Sequence, residues 1–204
     1  MNCYLCKDSA NFDLKPIETI LKDLKQLIID SAAGKAKAQA ELYRYMAPKM
    51  YGVCLRYSKD DTEAEDNLQE GFLKVFEKIG SFRHEGSFEG WVRRIMVNTA
   101  LERYRKNNLM HPVEDMGVYD GPELSDQVIS ELSAQDLMKL IQELPPRYRM
   151  VFNLYAFDGM NHKEIADEMN ISVGTSKSNL ARARGILKEK VVKYFGEIEN
   201  NYSA

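Results

Sequence analysis

The sequence is poor in cysteine and contains no long apolar run. Its 204 residues include three cysteines, an odd and low number that argues against a disulfide framework. No stretch approaches the roughly 18 consecutive apolar residues that a transmembrane helix needs. The N-terminus also lacks an apolar block followed by a small-residue cleavage site. We therefore expect a cytoplasmic protein with no membrane insertion.

Motifs for metal binding and catalysis are scarce as well. Cys3 and Cys6 form one Cys-x-x-Cys, but a tetrahedral zinc site needs four ligands and the chain has no second pair. His84, His111 and His162 are scattered, and Gly-rich phosphate loops, His-Glu-x-x-His and Gly-x-Ser-x-Gly are missing. We predict no metal site, no cofactor and no catalytic residue. Cys3 and Cys6 are interpreted as two thiols on a frayed terminus.

The net charge of −3 hides an uneven distribution of charged side chains. Residues 35–107 hold fourteen basic and eleven acidic side chains, and residues 139–204 hold ten basic and eight acidic ones. Residues 108–138 hold seven acidic side chains and neither Lys nor Arg. Two mildly basic segments thus flank an acidic connector that DNA phosphates would repel.

Helical spacing of apolar residues dominates the chain, and convincing strand patterns are lacking. The spacing predicts helices over 14–30, over 35–57 with a break near Pro48, over 62–79, over 88–107 and again from about Ser133. Prolines and glycines without helical spacing fill residues 108–130. This pattern favours two helical domains with a linker between them.

The stretch NHKEIADEMNISVGTSKSNLARARGILKEKV, residues 161–191, holds two helical patterns separated by three residues. Asn161 followed by Glu164 is typical of a capping box, and Ile171 should be buried in the connection. The inner face of the second helix should hold Val173, Leu180, Ala183, Ile186 and Leu187. Its outer face should hold Thr175, Ser176, Lys177, Ser178, Asn179, Arg182 and Arg184. We predict a helix-turn-helix whose second helix enters the DNA major groove; an ordinary helical hairpin with a solvated basic face is the alternative.

We therefore predict an all-α fold: two small helical domains joined by a flexible acidic linker, with the helix-turn-helix in the C-terminal domain. The expected ranges are an N-terminal extension with a helix over 1–34, a domain over 35–107, the linker over 108–132, a domain over 133–195 and a tail over 196–204.

Aromatic and basic residues alternate in GSFEGWVRRIMVNTALERYRKN, residues 86–107. Aromatic rings stack on unpaired bases while cations hold the backbone, so this composition suits single-stranded nucleic acid. A simpler interpretation is that Trp91 is a core residue of its own helix. A duplex-binding helix in one domain and a single-strand-binding helix in the other would suit a protein that finds a duplex site and helps to open its neighbour.

Three stretches resemble the bacterial RNA polymerase sigma factors of the extracytoplasmic-function (ECF) type. DTEAEDNLQEGFLKVFEKIGSF resembles the family's region 2.2, FEGWVRRIMVNTALERYRK resembles its promoter-melting segment, and LPPRYRMVFNLYAFDGMNHKEIADEMNISVGTSKSNLARARGIL resembles its region 4. The resemblance covers about residues 35–107 and 133–190 in the family's order. It implies a transcription initiation factor that binds core RNA polymerase, directs it to promoters and assists melting of the −10 element. An anti-sigma factor is a further implied partner.

The resemblance also implies three sets of site residues. Polymerase-binding candidates are Asp66, Leu68, Gln69, Glu70, Phe72 and Phe76, of which Phe72 and Phe76 could instead face the domain core. Candidates for binding the −10 element are Arg83, Trp91, Arg94, Asn98 and Arg105. Candidates for the −35 element are Thr175, Ser176, Lys177, Ser178, Asn179, Arg182 and Arg184. Ser176 and Asn179 depart from the family, which usually has an apolar residue and an Arg there.

Two other classes of protein remain as alternatives. A two-domain helix-turn-helix transcription regulator could act without being a polymerase subunit, but a receiver domain would need strands that residues 1–107 lack. An interaction protein that only mimics DNA-binding helices would not need the basic recognition face.

Overall fold

A computed structural model describes residues 17–108 and 133–202, which form eight α-helices, one 3₁₀ turn and no strand. The helices are α1 (Ile17–Ala32), α2 (Ala36–Tyr57), α3 (Asp61–Lys78), α4 (Phe88–Asn108), α5 (Ala134–Gln142), α6 (Pro146–Ala156), α7 (His162–Met169) and α8 (Val173–Tyr202). The predicted all-α fold is confirmed. The predicted linker beyond Asn108, Cys3 and Cys6 lie outside the described residues. The predicted tail boundary at 196 falls within α8.

Local capping signals begin the helices where the sequence predicted. The Asp60 carboxylate accepts a hydrogen bond from the Glu63 amide at 2.8 Å at the start of α3. The Ser87 hydroxyl accepts one from the Gly90 amide at 3.0 Å at the start of α4. Each cap satisfies an amide that has no partner within its own helix.

The predicted break near Pro48 is wrong, because α2 runs unbroken from Ala36 to Tyr57. A proline inside a helix costs about 3 kcal/mol, since it removes a backbone hydrogen bond and clashes with the preceding turn. The opposite face of α2 is buried at three- and four-residue spacing, by Ala38, Leu42, Met46, Met50, Val53, Cys54 and Tyr57. Pro48 lies on the exposed face, so core packing outweighs the local preference.

Helices α1 to α4 form an N-terminal unit with one apolar core. α3 and α4 approach closely at Gly71, where an added Cβ would clash with the Met96 sulfur. α1 packs on α2 through Ile28, and Gln39 Nε2 donates to the Ser31 carbonyl oxygen at 3.2 Å.

Helices α5 to α8 form a C-terminal unit that contains the helix-turn-helix. Its own core comprises Leu140, Ile141, Leu144, Ala183, Leu187 and Val191. The buried Arg149 side chain donates to the carbonyl oxygens of Gln142 at 2.6 Å and Leu144 at 3.3 Å. The Gln142 carbonyl is the last of α5 and the Leu144 carbonyl lies in the turn before α6, so Arg149 of α6 joins both to its own helix.

The two units pack against each other. Met150, Val151 and Leu154 of α6 belong to the same apolar cluster as the core of the N-terminal unit. α5 and α6 contact α2 directly. In this structure the polar and apolar groups of both units therefore form a continuous interface.

Candidate nucleic-acid interface

The helix-turn-helix is built by three local hydrogen-bonding devices. Asn161 and Glu164 form the predicted capping box at the start of α7. Asn170 adopts a left-handed conformation, φ 53° and ψ 51°, which ends α7 and turns the chain. Ser172 then accepts a hydrogen bond from the Thr175 amide at 2.9 Å, so it begins α8. The short connection and both helix starts agree with the sequence prediction.

The start of α8 leaves only some of the predicted −35 candidates at the surface. Lys177 and Arg184 are exposed, and Thr175, Ser178 and Arg182 are half-buried. Lys177 thus lies exposed on an N-terminal turn of α8, the part of a recognition helix from which the sequence predicts contacts with DNA.

Ser176 and Asn179 do not lie on the outer face, so that part of the prediction is wrong. Their exposed fractions are 0% and 2%, respectively. Helical spacing explains the result: both residues fall on the stripe that continues through Leu180 and Ala183 toward the core. The prediction placed both residues on the outer face because they are polar, whereas their position on the helix determines which face they occupy. Val173, predicted to be inside, is 42% exposed on the first turn.

Ser176 stands where the family usually has an apolar residue, and a series of polar and aromatic contacts begins at its side chain. Its Oγ lies 3.0 Å from His162 Nδ1 on α7, and the two atoms share a hydrogen bond. The His162 ring stacks on Tyr155, with centroids 5.1 Å apart, and the Arg184 guanidinium lies 5.5 Å from the centroid of the same tyrosine ring. Burial, together with the charges of Lys177 and Arg184, lowers the pKa of His162. These contacts join α6, α7 and α8.

On α4, three −10 candidates share one face. Trp91, Arg94 and Asn98 recur at helical spacing of three and four residues, and they are half-buried, exposed and half-buried, respectively. Trp91 packs on Phe88 and Phe82, with ring centroids 5.6 Å and 5.5 Å away. The indole is therefore supported by the core while part of it stays accessible, which fits both sequence interpretations.

Of the remaining two −10 candidates, one lies in the loop before α4 and the other lies further along the same face of α4. Arg83 is exposed in the loop before α4, beside His84, whose φ of 58° is unusual for a residue with a side chain. Arg105 is exposed near the end of α4, and its guanidinium lies 3.7 Å from the Glu168 carboxylate of the C-terminal unit. Arg105 follows Asn98 by seven residues and so continues the face of α4 that holds the other candidates, whereas Arg83 lies outside the helix.

The α3 candidates separate into a core set and a surface set. Leu68 and Phe72 have exposed fractions of 7% and 3%, and Phe76 is half-buried against the same core, so the alternative that Phe72 and Phe76 face the domain core is confirmed. Asp66 and Gln69 are exposed.

The sequence prediction missed Leu73, which is 72% exposed. Leu73 lies four residues after Gln69 and seven after Asp66, on the face opposite the apolar stripe of α3. A helical projection of α3 would have found it. A single exposed leucine is common on a folded protein, and Leu73 becomes a candidate only through its place beside the predicted polymerase-binding residues Asp66 and Gln69.

Ion pairs fasten α3 to α4 beside this face. Lys74 Nζ lies 3.0 Å from a carboxylate oxygen of Glu70 and 2.7 Å from one of Glu102. The Arg103 guanidinium nitrogens lie 3.1 Å from a carboxylate oxygen of Asp66 and 3.4 Å from one of Glu70. The hydrogen bond from Lys74, followed by the contact with Arg103, lowers the pKa of Glu70. Glu70 is therefore ionised and helps to hold α3 against α4 through its ion pairs with Lys74 and Arg103.

Within the residues that the structure describes, no cluster of His, Cys, Asp or Glu could hold a metal ion. Cys54 is buried, and burial raises the pKa of its thiol to about 12. Among the described helices, none combines the length and the apolar character that a membrane-spanning segment needs.

Comparison with known proteins now identifies the family. The family described as "Sigma-70 region 2" matches residues 42–109. The family described as "Sigma-70, region 4" matches residues 134–187. The ECF RNA polymerase sigma-E factor of Haemophilus influenzae is 30% identical over 171 residues, covering 78% of this chain and 89% of the relative. The ECF RNA polymerase sigma factor SigE of Mycolicibacterium smegmatis is 31% identical over 163 residues, covering 77% of this chain and 63% of that longer protein.

One solved structure is also similar in part. The sigma factor RpoE of Bartonella quintana, in complex with the anti-sigma factor NepR, aligns with 76% of this chain and 96% of its own, at 23% identity and a TM-score of 0.47.

The two matched regions define a transcription initiation factor of the sigma-70 type rather than an enzyme. The chain belongs to the ECF RNA polymerase sigma factors. The predicted family, fold class and function are thereby confirmed, and a free-standing transcription regulator is not favoured.

Proposed function

We propose that the two units bind different promoter elements and that a third surface binds core RNA polymerase. Residues 35–107 would engage the −10 element, residues 133–195 the −35 element, and residues 108–132 would connect them. The support is that each unit presents its own cationic helix, α4 in the first and α8 in the second.

The −35 element would be bound by the exposed N-terminal turns of α8. Lys177 is the central candidate, with Thr175, Ser178, Arg182 and Arg184 around it. Exposed lysines and arginines bind phosphates, and small hydroxyl residues let the helix approach the groove closely. Ser176 and Asn179 would act indirectly, by packing α8 against the rest of its unit.

The −10 element would be bound by the face of α4 that holds Trp91, Arg94 and Asn98. The proposal that α4 binds the −10 element depends mainly on the composition of this face. It combines an accessible aromatic edge, an exposed cation and an amide that can pair with the polar edge of an extruded base. Arg83 and Arg105 would add contacts with the backbone of the unpaired strand.

Core polymerase would bind the surface of α3 formed by Asp66, Gln69 and Leu73. Leu73 supplies an exposed apolar anchor, and the polar residues surround it, as in interfaces where a helix binds a partner helix. Leu68, Phe72 and Phe76 would support this face from within the core. Glu70 would act mainly through its pairs with Lys74 and Arg103.

We further propose that the chain acts in the cytoplasm, where its polymerase and promoters are found, and that an anti-sigma factor holds it inactive. Both follow from the family's general biology. A tagged chain recovered from cells would test the second point, since the anti-sigma factor should co-purify without polymerase.

The decisive experiment is reconstituted transcription. Purified chain would be added to core polymerase with a library of promoter fragments, and transcripts would be sequenced. Initiation from a defined subset of promoters, dependent on the chain, is expected. Sequence-specific DNA binding without any chain-dependent initiation would instead favour the free-standing regulator.

A further inference from the structure

The start of the helix-turn-helix contains a titratable side chain to which the proposed promoter contacts assign no role. His162 is the first residue of α7, and its Nδ1 lies 3.0 Å from Ser176 Oγ on α8. Nε2, the other ring nitrogen, has no hydrogen-bond partner among the described residues and is not one of their fully buried polar atoms. One nitrogen is therefore bonded to the recognition helix, while the other stays accessible.

Ser176 can keep its contact with His162 in both protonation states of the ring. A hydroxyl donates to the unprotonated nitrogen of a neutral imidazole and accepts from a protonated nitrogen of an imidazolium. The apolar side chain that the family usually has at this position could do neither. Ser176 is fully buried, so the ring is in contact with the inner face of α8 rather than with its surface. The pair therefore allows the ring to gain a proton without losing its link to α8.

The groups that face His162 from the neighbouring helices are an aromatic ring and two cations. Tyr155 of α6 stacks on the imidazole, with ring centroids 5.1 Å apart. Burial, followed by the positive charges of Lys177 and Arg184 on α8, lowers the pKa of His162 from 6.5. The ring is therefore mostly neutral in the free chain near neutral pH.

The acids that lie closest to His162 in the sequence are bonded to other groups. The Glu164 carboxylate accepts a hydrogen bond from the Asn161 amide at 2.8 Å. The Asp158 carboxylate, in the loop after α6, accepts one from Arg93 Nε of α4 at 2.9 Å. Neither carboxylate raises the pKa of His162. The charge around the ring is therefore set by the cations of α8 that we assign to the promoter.

DNA binding would change the charge around His162. Phosphates neutralise the cations that they contact. Once Lys177 and Arg184 are paired with phosphates, they no longer repel a proton on the ring, and the nearby phosphates favour the imidazolium. By linkage, a group that binds a proton more tightly in the complex makes the complex more stable as the pH falls. A rise of one pKa unit on binding corresponds to about a tenfold gain in affinity.

We propose that His162 is a positioning residue for −35 binding, which holds α8 through Ser176 and takes up a proton when the chain binds the promoter. This inference rests on the proposed assignment of the −35 element to α8. Binding to the −35 element should then strengthen as the pH falls. The response begins near the pKa of His162 in the complex and is complete below its lower pKa in the free chain.

A matched pair of substitutions isolates the effect of the ring in the full-length chain. His162→Gln removes the titrating group and keeps a polar side chain at the start of α7. His84→Gln makes the same change at an exposed position in the loop before α4 and serves as the control. Ser176→Ala removes only the hydroxyl through which the ring holds α8. Circular dichroism would verify that every variant keeps its helix content.

Promoter affinity would be measured against pH at constant ionic strength. Each variant, assembled with core polymerase, would bind two fluorescent duplexes from one promoter, one complete and one truncated before the −35 element. The ratio of the two affinities reports the contacts of the −35 element. For the unaltered chain and His84→Gln, we expect this ratio to rise about three- to tenfold from about pH 8 to about pH 6. The ratio should be independent of pH for His162→Gln, and its rise should be smaller for Ser176→Ala, because the imidazolium loses its acceptor.

Nuclear magnetic resonance of the free chain supplies a second readout. The chain has three histidines, so the imidazole signals of His162 and His84 can be assigned from their single substitutions. The signal of His162 would be titrated with and without a short duplex of arbitrary sequence at low salt. We expect the pKa of His162 to be higher when the duplex is present.

Three outcomes would overturn the proposal. The first is a pH response that persists in His162→Gln, and the second is a His162 titration that the duplex leaves unmoved. The third is a uniform loss of affinity at every pH in His162→Gln, which would assign the ring a purely structural role. If the two duplexes bind the unaltered complex equally at every pH, the proposed role of α8 at the −35 element fails instead. The resonance titration would then still decide whether DNA binding and protonation of His162 are linked.

Discussion

His162 Nδ1 and Ser176 Oγ share a 3.0 Å hydrogen bond that joins the two helices of the helix-turn-helix. The serine is fully buried where the family usually has an apolar side chain, so this chain replaces an apolar contact by a polar one. Burying a hydroxyl without a hydrogen-bond partner costs free energy, and His162 supplies that partner. The orientation of α8, and of Lys177 on it, therefore depends on a specific pair of residues.

The coupling between these two residues can be measured. Ser176→Ala removes the hydroxyl, and His162→Phe removes the ring nitrogens but keeps an aromatic ring against Tyr155. We expect each change to lower the free energy of unfolding by about 1 kcal/mol, and the double variant to lose less than the sum. Chemical denaturation of all four proteins gives the coupling energy. Strictly additive losses would show that the hydrogen bond contributes nothing.

Stability should also depend on the protonation of His162. Its pKa in the folded chain is lowered by burial and by Lys177 and Arg184, below the ordinary value of 6.5. As pH falls, the unfolded chain therefore binds a proton first, and the folded state loses stability from about pH 7 downward through the folded-state pKa. His162→Phe should remove the part of the pH dependence that begins near the ordinary pKa of 6.5 and extends below it. An unchanged slope in that variant would contradict the assignment.

The sequence predicted the elements better than it predicted the faces. The start of α7 was predicted closely because the capping signal of Asn161 and Glu164 is local. Ser176 and Asn179 were misplaced because polarity was weighed above helical position. Pro48 was taken as a break, although core packing along the whole of α2 outweighs one missing hydrogen bond. The contact between Asp158 and Arg93 could not be found, since a pair 65 residues apart leaves no periodic signal.

Leu73 and Phe72 are neighbours in sequence with opposite expected roles. Leu73 is 72% exposed and Phe72 is 3% exposed. We expect Leu73→Asp to weaken core polymerase binding at least tenfold while the melting temperature stays within about 2 °C. Phe72→Ala should cost about 3 to 5 kcal/mol of stability through a core cavity. Fluorescence titration with core polymerase and thermal melts separate the two effects.

A polymerase affinity that is unchanged in Leu73→Asp would remove this face of α3 from the interface. Lys78→Ala, at an exposed position on a different side of the same helix, serves as the control and should change neither quantity.

A substitution of Asn179 can test whether this side chain stays buried or contacts a base. The structure leaves its amide nitrogen buried without a hydrogen-bond partner among the described residues. Asn179→Leu removes that unsatisfied group and keeps a similar shape, so we expect the unfolding free energy to change by less than about 1 kcal/mol or to rise. Binding to a −35 duplex should be unchanged. A clear loss of sequence preference in this variant would mean that Asn179 turns outward when α8 meets DNA.

Lys177 and Arg182 should contribute to DNA binding through charge. Each phosphate that a cation neutralises adds about 0.9 to the slope of log affinity against log salt concentration. Lys177→Ala with Arg182→Ala should therefore reduce the steepness of that slope by about 1 to 2 and weaken −35 binding, while core polymerase binding stays intact. Lys25→Ala with Lys37→Ala removes the same charge from exposed positions of the N-terminal unit and should leave the −35 slope unchanged. If both double variants lower the slope equally, overall charge rather than α8 determines the binding. If the first variant loses polymerase binding, the two surfaces are not separate.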